Sequence, residues 1–317
     1  MLSENVVDIF SLKIPSSLRQ KDYKNIVLSF LPAALTLFFL SLSFFSYIYF
    51  QTAYYIFILA GFVFPGMAHG SLDYYLAVKS SAGRLSKKVI LSIYIGIILM
   101  VITGWYISPA LIMFSFLFNA AFHFGETDLI MLNGKKIIPR IFYGISLIAF
   151  YFTSHFKEAY NYLKPFGIAL PSIISTNEIM ISVILFTIIA LFIFAFATIQ
   201  STINLLLILL LGIKLPLILA FGIYYIMIHS TNAWSDLRDG LNLSNNTLIK
   251  MALPFTFAGV LFITIAAGIF QKWDSCYNEP VPLILMGLAA ITLPHTIAMS
   301  YFYRKFTKKD FRKKLLS

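Results

Sequence analysis

Four histidines, His69, His123, His229 and His295, sit within or at the ends of long apolar runs in a chain that has only five. Neutral imidazole is the commonest side-chain metal ligand. An ionisable group inside an oily segment is costly and points to function. Four imidazoles suit a first-row transition metal, with iron, zinc and copper all open. The competing explanation for any one of them is a hydrogen bond between helices. The fifth, His155, stands beside Lys157 and Glu158 and reads as an interfacial or loop residue.

Acids and aromatics accompany these histidines. Asp73 follows His69 by four residues, Glu126 follows His123 by three, and Asp128 follows it by five. Spacings of three and four place side chains on one helix face. A metal-bound imidazole usually gives its second N–H to a carboxylate or carbonyl. Asp73 and Glu126 are therefore candidates to orient the ligands, or else they mark helix ends, which is the reading favoured for Asp128. Phe122, Phe124, Tyr224 and Tyr225 flank the histidines, and Trp234 lies about one turn beyond His229; all five are candidates to line a site. Gly66, Gly70 and Gly125 either let helices approach closely or end them.

The elements that must position these groups are membrane helices. The chain of 317 residues is 59% hydrophobic and only 12% charged, with a mean hydropathy of +0.85. Too little polar sequence remains to cover a soluble core of that size. Apolar runs of spanning length recur throughout, which predicts an all-α, polytopic transmembrane helical bundle of about eight to ten segments. The runs are approximately Ile26–Phe50, Ala53–His69, Val89–Ile107, Pro109–His123, one ending at Ser154, Glu178–Ile199, Met251–Phe270 and Val281–Tyr303, plus Ser201–Trp234. That last stretch is too long for one span and is broken at Gly212, Lys214 and Pro216, so it reads as two segments. The division expected is residues 1–24 as an N-terminal cytoplasmic or interfacial segment, 25–303 as the transmembrane domain and 304–317 as a basic tail.

The net charge of +11 lies in short loops and the tail. With ten segments the positive-inside rule puts both termini, the Lys79–Lys88 loop, the Lys135–Arg140 loop and the Arg238–Lys250 loop on the cytoplasmic side of a cell membrane. The four histidine segments then run in one direction. Each histidine lies ~21–24 Å from the outer end of its segment at the helical rise of ~1.5 Å per residue. Common depth favours one shared ion over four separate hydrogen bonds. The charge pattern implies contact with anionic membrane lipids and no nucleic-acid partner, since no soluble basic domain exists to carry one. The single cysteine, Cys276, excludes an internal disulfide or a cysteine-rich metal site. Residues 1–24, polar and amphipathic, are not expected to be cleaved; they read as an interfacial helix or as disordered.

The stretches Pro-Gly-Met-Ala-His-Gly-Ser-Leu-Asp (65–73) and Phe-His-Phe-Gly-Glu-Thr-Asp (122–128), with Tyr224-Tyr225 leading to His229-Ser230 and the later Pro294-His295, resemble the Brp/Blh family of bacterial and archaeal membrane β-carotene 15,15′-dioxygenases. The resemblance runs from about residue 55 to 300. It implies cleavage of the central double bond of β-carotene with O2 to give retinal, at a non-haem ferrous iron, Fe(2+), with His69, His123 and His229 as ligands. The implied partners are a carotenoid drawn from the bilayer and O2, and a retinal-binding rhodopsin is a candidate acceptor of the product. Two positions depart from the family pattern. Ala233 stands where a second histidine usually follows His229 by one turn, and Ala68 replaces a proline. Either His295 completes the site, or three histidines and water hold the iron, or the site is degenerate. Alternatives are a related oxygenase acting on another isoprenoid or lipid, and a transport or binding protein.

Overall fold

A computed structural model describes residues 30–81, 84–129, 137–169, 172–196, 199–273 and 280–314. The N-terminal segment 1–24, loop residues Lys135 and Lys136, Cys276 and the end of the tail (315–317) lie outside the described residues.

Among the described residues the regular elements are all helical. In chain order they are α1 (Leu31–Phe45), α2 (Tyr47–Gly61), a π turn (Phe62–Gly66), α3 (Met67–Gly70), α4 (Asp73–Ser81), α5 (Lys87–Ile107) and α6 (Pro109–Asp128). After these come α7 (Ile137–Ser154), α8 (Phe156–Leu163), a 3-10 turn (Lys164–Phe166), α9 (Ser172–Phe196) and α10 (Ile199–Gly212). The chain ends with α11 (Leu217–Tyr224), a second π turn (Tyr225–His229), α12 (Ser230–Leu241), α13 (Asn245–Trp273) and α14 (Pro280–Lys314).

Six described helices are long and apolar enough to cross a membrane: Tyr47–Lys79, Lys87–Ile107, Ile137–Ser154, Leu217–Leu241, Asn245–Ile265 and Val281–Arg304. With α6 and the shorter apolar helices Leu31–Phe45, Asn177–Phe192 and Thr202–Gly212, they match the ten segments read from the sequence. Large apolar side chains on the outer faces are bare; Phe44, Phe45 and Tyr47 are 80%, 86% and 74% exposed. Such surface suits hydrocarbon as solvent and would be a liability in water.

One boundary differs from the expected ones, and the last span, Val281–Arg304, ends where expected although its helix runs on. The first segment ends at Phe45, because Ser46 adopts an extended backbone (φ −160°) and its side chain caps α2 by accepting from the Tyr49 N–H. No proline or glycine marks that break. The last helix continues past Tyr303 to Lys314, so most of the basic tail extends α14. The break before Leu217 falls where expected: α10 stops at Gly212 and Pro216 caps α11.

Close backbone approach shapes the middle of the bundle. A Cβ on Gly125 of α6 would collide with the Arg140 carbonyl oxygen of α7, and one on Gly144 of α7 would collide with the Ala121 carbonyl oxygen of α6. This reciprocal pair of glycines brings the α6 and α7 backbones together, as small residues do between membrane helices. It carries Tyr143 to Asp128 at the end of α6. His155 is a turn residue and is buried. It lies at the α7–α8 junction, and its Nε2 is 3.2 Å from the Gly212 carbonyl oxygen and 3.0 Å from that of Leu215. Glu158 accepts the Leu217 N–H at 2.8 Å. The two side chains hold the α10–α11 turn, and α11 leads to His229.

Candidate metal centre

Two of the histidine helices are locally widened. A π turn adds one residue to a helical turn and is frequent at functional sites. In the first, Pro65 has no N–H to donate, and the Met67 N–H closes on the Phe62 carbonyl instead. In the second, the Ser230 N–H closes on the Tyr225 carbonyl. The two turns are joined: the Tyr225 hydroxyl donates to the Gly66 carbonyl at 3.0 Å. The Tyr225 ring also stacks on His229, with centroids 5.8 Å apart and an 18° interplanar angle.

All four apolar-run histidines meet here, and each is buried. One ring nitrogen from each of His69, His123 and His295 lies within 4.8 Å of the others. The His229 ring stands 4.9 Å from that of His123 and 5.5 Å from that of His69. His69 and His295 are 5.0 Å apart by ring centroids, and His123 and His295 are 4.6 Å apart.

The outer nitrogens show which way the rings present their lone pairs. His295 Nδ1 donates to Asp73 Oδ1 at 2.8 Å. His69 Nδ1 donates to the Pro65 carbonyl at 3.1 Å. A carboxylate or carbonyl can only accept, so both Nδ1 atoms carry the proton and both Nε2 atoms are left as donors to an electrophile. His295 Nε2 lies 3.0 Å from His123 Nε2. Two nitrogens ~2.1 Å from a single ion and ~90° apart would stand ~3.0 Å from each other. The donor set therefore fits a transition-metal ion, with the carboxylate–histidine support that such ions usually have.

The acids divide differently from the sequence expectation. Asp73 supports His295, not His69 one turn before it, and it also accepts the Tyr94 hydroxyl at 3.2 Å. Glu126 supports no histidine: it accepts from Ser300 and lies 3.9 Å from Arg140 Nη1. Asp128 is no bare helix end. Its Oδ2 accepts the hydroxyls of Tyr143 (3.0 Å) and Tyr224, and its Oδ1 lies 3.6 Å from His229 Nδ1.

Of the aromatics, Phe124 packs edge-on against His229 at 4.5 Å, and Tyr224 and Tyr225 also contact that ring. Phe122 is half-buried and takes no part in these ring contacts. Trp234 packs against the Leu72–Ala233 cluster and donates to Asn245 Oδ1 at the start of α13. Ala233 is fully buried in a hydrophobic cluster with Leu72, Leu237, Met299 and Phe302. Tyr94, Tyr143 and the carbonyl of Pro65 are parts of the site that the sequence did not single out, because no local spacing ties them to the histidines.

No curated protein and no solved structure matches the chain. A family model described as Beta-carotene 15,15'-dioxygenase matches residues 60–303, a stretch that includes every histidine and acid of the centre. On a match over more than three quarters of its length, the chain belongs to the beta-carotene 15,15'-dioxygenase family.

Proposed function

We propose that the protein cleaves the central double bond of β-carotene, or of a related carotenoid, with O2 to give retinal, at a ferrous iron held by His69, His123, His229 and His295. The observation that carries this reading is the cluster of three buried imidazoles, His69, His123 and His295, two of them with Nδ1 already committed to a fixed acceptor, with the His229 ring beside them. When bound, the iron supplies the redox chemistry that lets O2 react with a polyene. The protein's own contribution is orientation and dryness. Asp73 and the Pro65 carbonyl fix two ring tautomers. Phe124, Tyr224 and Tyr225 close one side of the centre against water. The carotenoid is drawn from the bilayer between helices, with a retinal-binding rhodopsin as a candidate acceptor of the product. We place the protein in the cell membrane with both termini cytoplasmic, following the distribution of Lys and Arg. Reporter tags at the two ends are expected to be inaccessible from outside intact cells.

Expression in carotene-producing cells tests the activity. Wild type is expected to yield retinal and to purify with iron. His69→Ala, His123→Ala and His295→Ala are each expected to abolish retinal formation and lower the iron content. Bound iron without retinal would move the reading to an oxygenase of another isoprenoid. Absence of both would overturn it.

A further inference from the structure

We propose that Asp128, held in place by Tyr143 and Tyr224, is the positioning residue for His229 and forms a second carboxylate–histidine pair of the centre, opposite Asp73–His295. The inference rests on the metal-centre reading above.

The two oxygens of Asp128 are used unequally. Both tyrosine hydroxyls donate to Oδ2. Oδ1 is buried without a hydrogen-bond partner and faces His229 Nδ1 at 3.6 Å. Both ring nitrogens of His229 are likewise buried without a hydrogen-bond partner. An imidazole with neither nitrogen satisfied in a dry interior costs on the order of 1–3 kcal/mol per group. One small ring rotation toward Asp128 would bring Nδ1 into hydrogen-bond range, since 3.6 Å is just too long. That contact would fix the proton on Nδ1 and leave Nε2 with its lone pair, in a ring 4.9 Å from that of His123 and 5.5 Å from that of His69. Asp73 already stands in this relation to His295.

The arrangement also explains why two tyrosines are spent on one carboxylate. Tyr143 comes from α7 and Tyr224 from the end of α11. Tyr143 ties the end of α6 to α7 and Tyr224 ties it to the segment that bears His229, and both anchor the oxygen that does not face the ring. Asp128 thus has one oxygen for the scaffold and one for the ligand.

Titration of the metal-stripped, detergent-purified protein with cobalt(II), read by its visible absorption, tests this without any turnover. Asp128→Asn keeps an acceptor for the tyrosines but loses the charge behind His229. It is expected to weaken cobalt binding about 10–100-fold, with a changed ligand-field spectrum and a near-native Tm. Asp128→Glu is expected to recover part of the loss. Tyr143→Phe, which leaves the acid in place, is expected to weaken binding in the same direction by less, and it remains informative if Asp128→Asn does not fold. Asp239→Asn, at an exposed ion pair with Arg238, is expected to change nothing. Wild-type affinity and spectrum in both Asp128→Asn and Tyr143→Phe, with only Tm lowered, would reduce Asp128 to a structural clamp and overturn the proposal. A wild-type protein that binds no cobalt would overturn the metal reading with it.

Discussion

Asp73 joins Tyr94 on one oxygen to His295 on the other, so its two neighbours should respond unequally to change. Asp73→Asn removes the charge behind the His295 N–H and leaves one acceptor oxygen where Asp73 uses two, and it is expected to lower metal affinity about 10–100-fold. Tyr94→Phe only loosens the acid and is expected to cost less; metal titration of both variants checks the order. Glu126 answers to different physics. It is the buried partner of Arg140, and Glu126→Ala leaves that guanidinium uncompensated, at an expected cost of about 3–5 kcal/mol, visible as a lowered Tm. At Ala233, the sequence invites the idea that restoring a histidine would add a ligand and raise iron affinity. The residue is fully buried in a cluster of aliphatic and aromatic side chains. Ala233→His is therefore expected to overpack the cluster and destabilise the protein by about 1–3 kcal/mol, with no gain in iron content.

At the level of elements, the reciprocal glycines of α6 and α7 set the distance from which Tyr143 reaches Asp128. Gly144→Ala forces the new methyl onto the Ala121 carbonyl. It is expected to cost about 1–3 kcal/mol or more and to reduce metal affinity as well, because Asp128 loses a donor; Tm and cobalt titration together show both. Some of this level was legible beforehand. Lys214 and Pro216 announced the α10–α11 break, since a charge and a missing donor cannot continue an apolar helix. The Ser46 break was placed about a turn late because serine interrupts a helix only through its own backbone angle and cap. The π turns left no usable trace, as apolar periodicity over five residues does not distinguish them from ordinary α-helix.

For the molecule as a whole, composition and the spacing of apolar runs were enough to give the architecture and to set four histidines at one depth, because depth follows from chain position alone. The partners of those histidines were not legible. Asp73 and His295 are 222 residues apart, and Tyr224 and Asp128 are 96 apart, so only the packing of the bundle decides which acid meets which ring. Near-neighbour spacing suggested His69 for Asp73 and His123 for Glu126, and in both cases a residue from a distant helix took the acid. His155 stands in the turn at the end of its apolar run, as expected, but its partners were illegible for the same reason: they lie on a turn about sixty residues away in the chain.

The linked π turns carry a last consequence, one of phase. Each turn holds one residue more than the helix on either side of it, so His69 and His229 owe their azimuth to an insertion. Were the 62–66 turn to close as regular α-helix at unchanged length, everything beyond it would turn by ~100° and advance by ~1.5 Å. His69 would then face away from its three companions with every motif residue still present. Position 229 is subject to the same rule through 225–229. A histidine count therefore says less about a relative's centre than whether the number of residues before each histidine matches the kind of turn, π or α, that carries it.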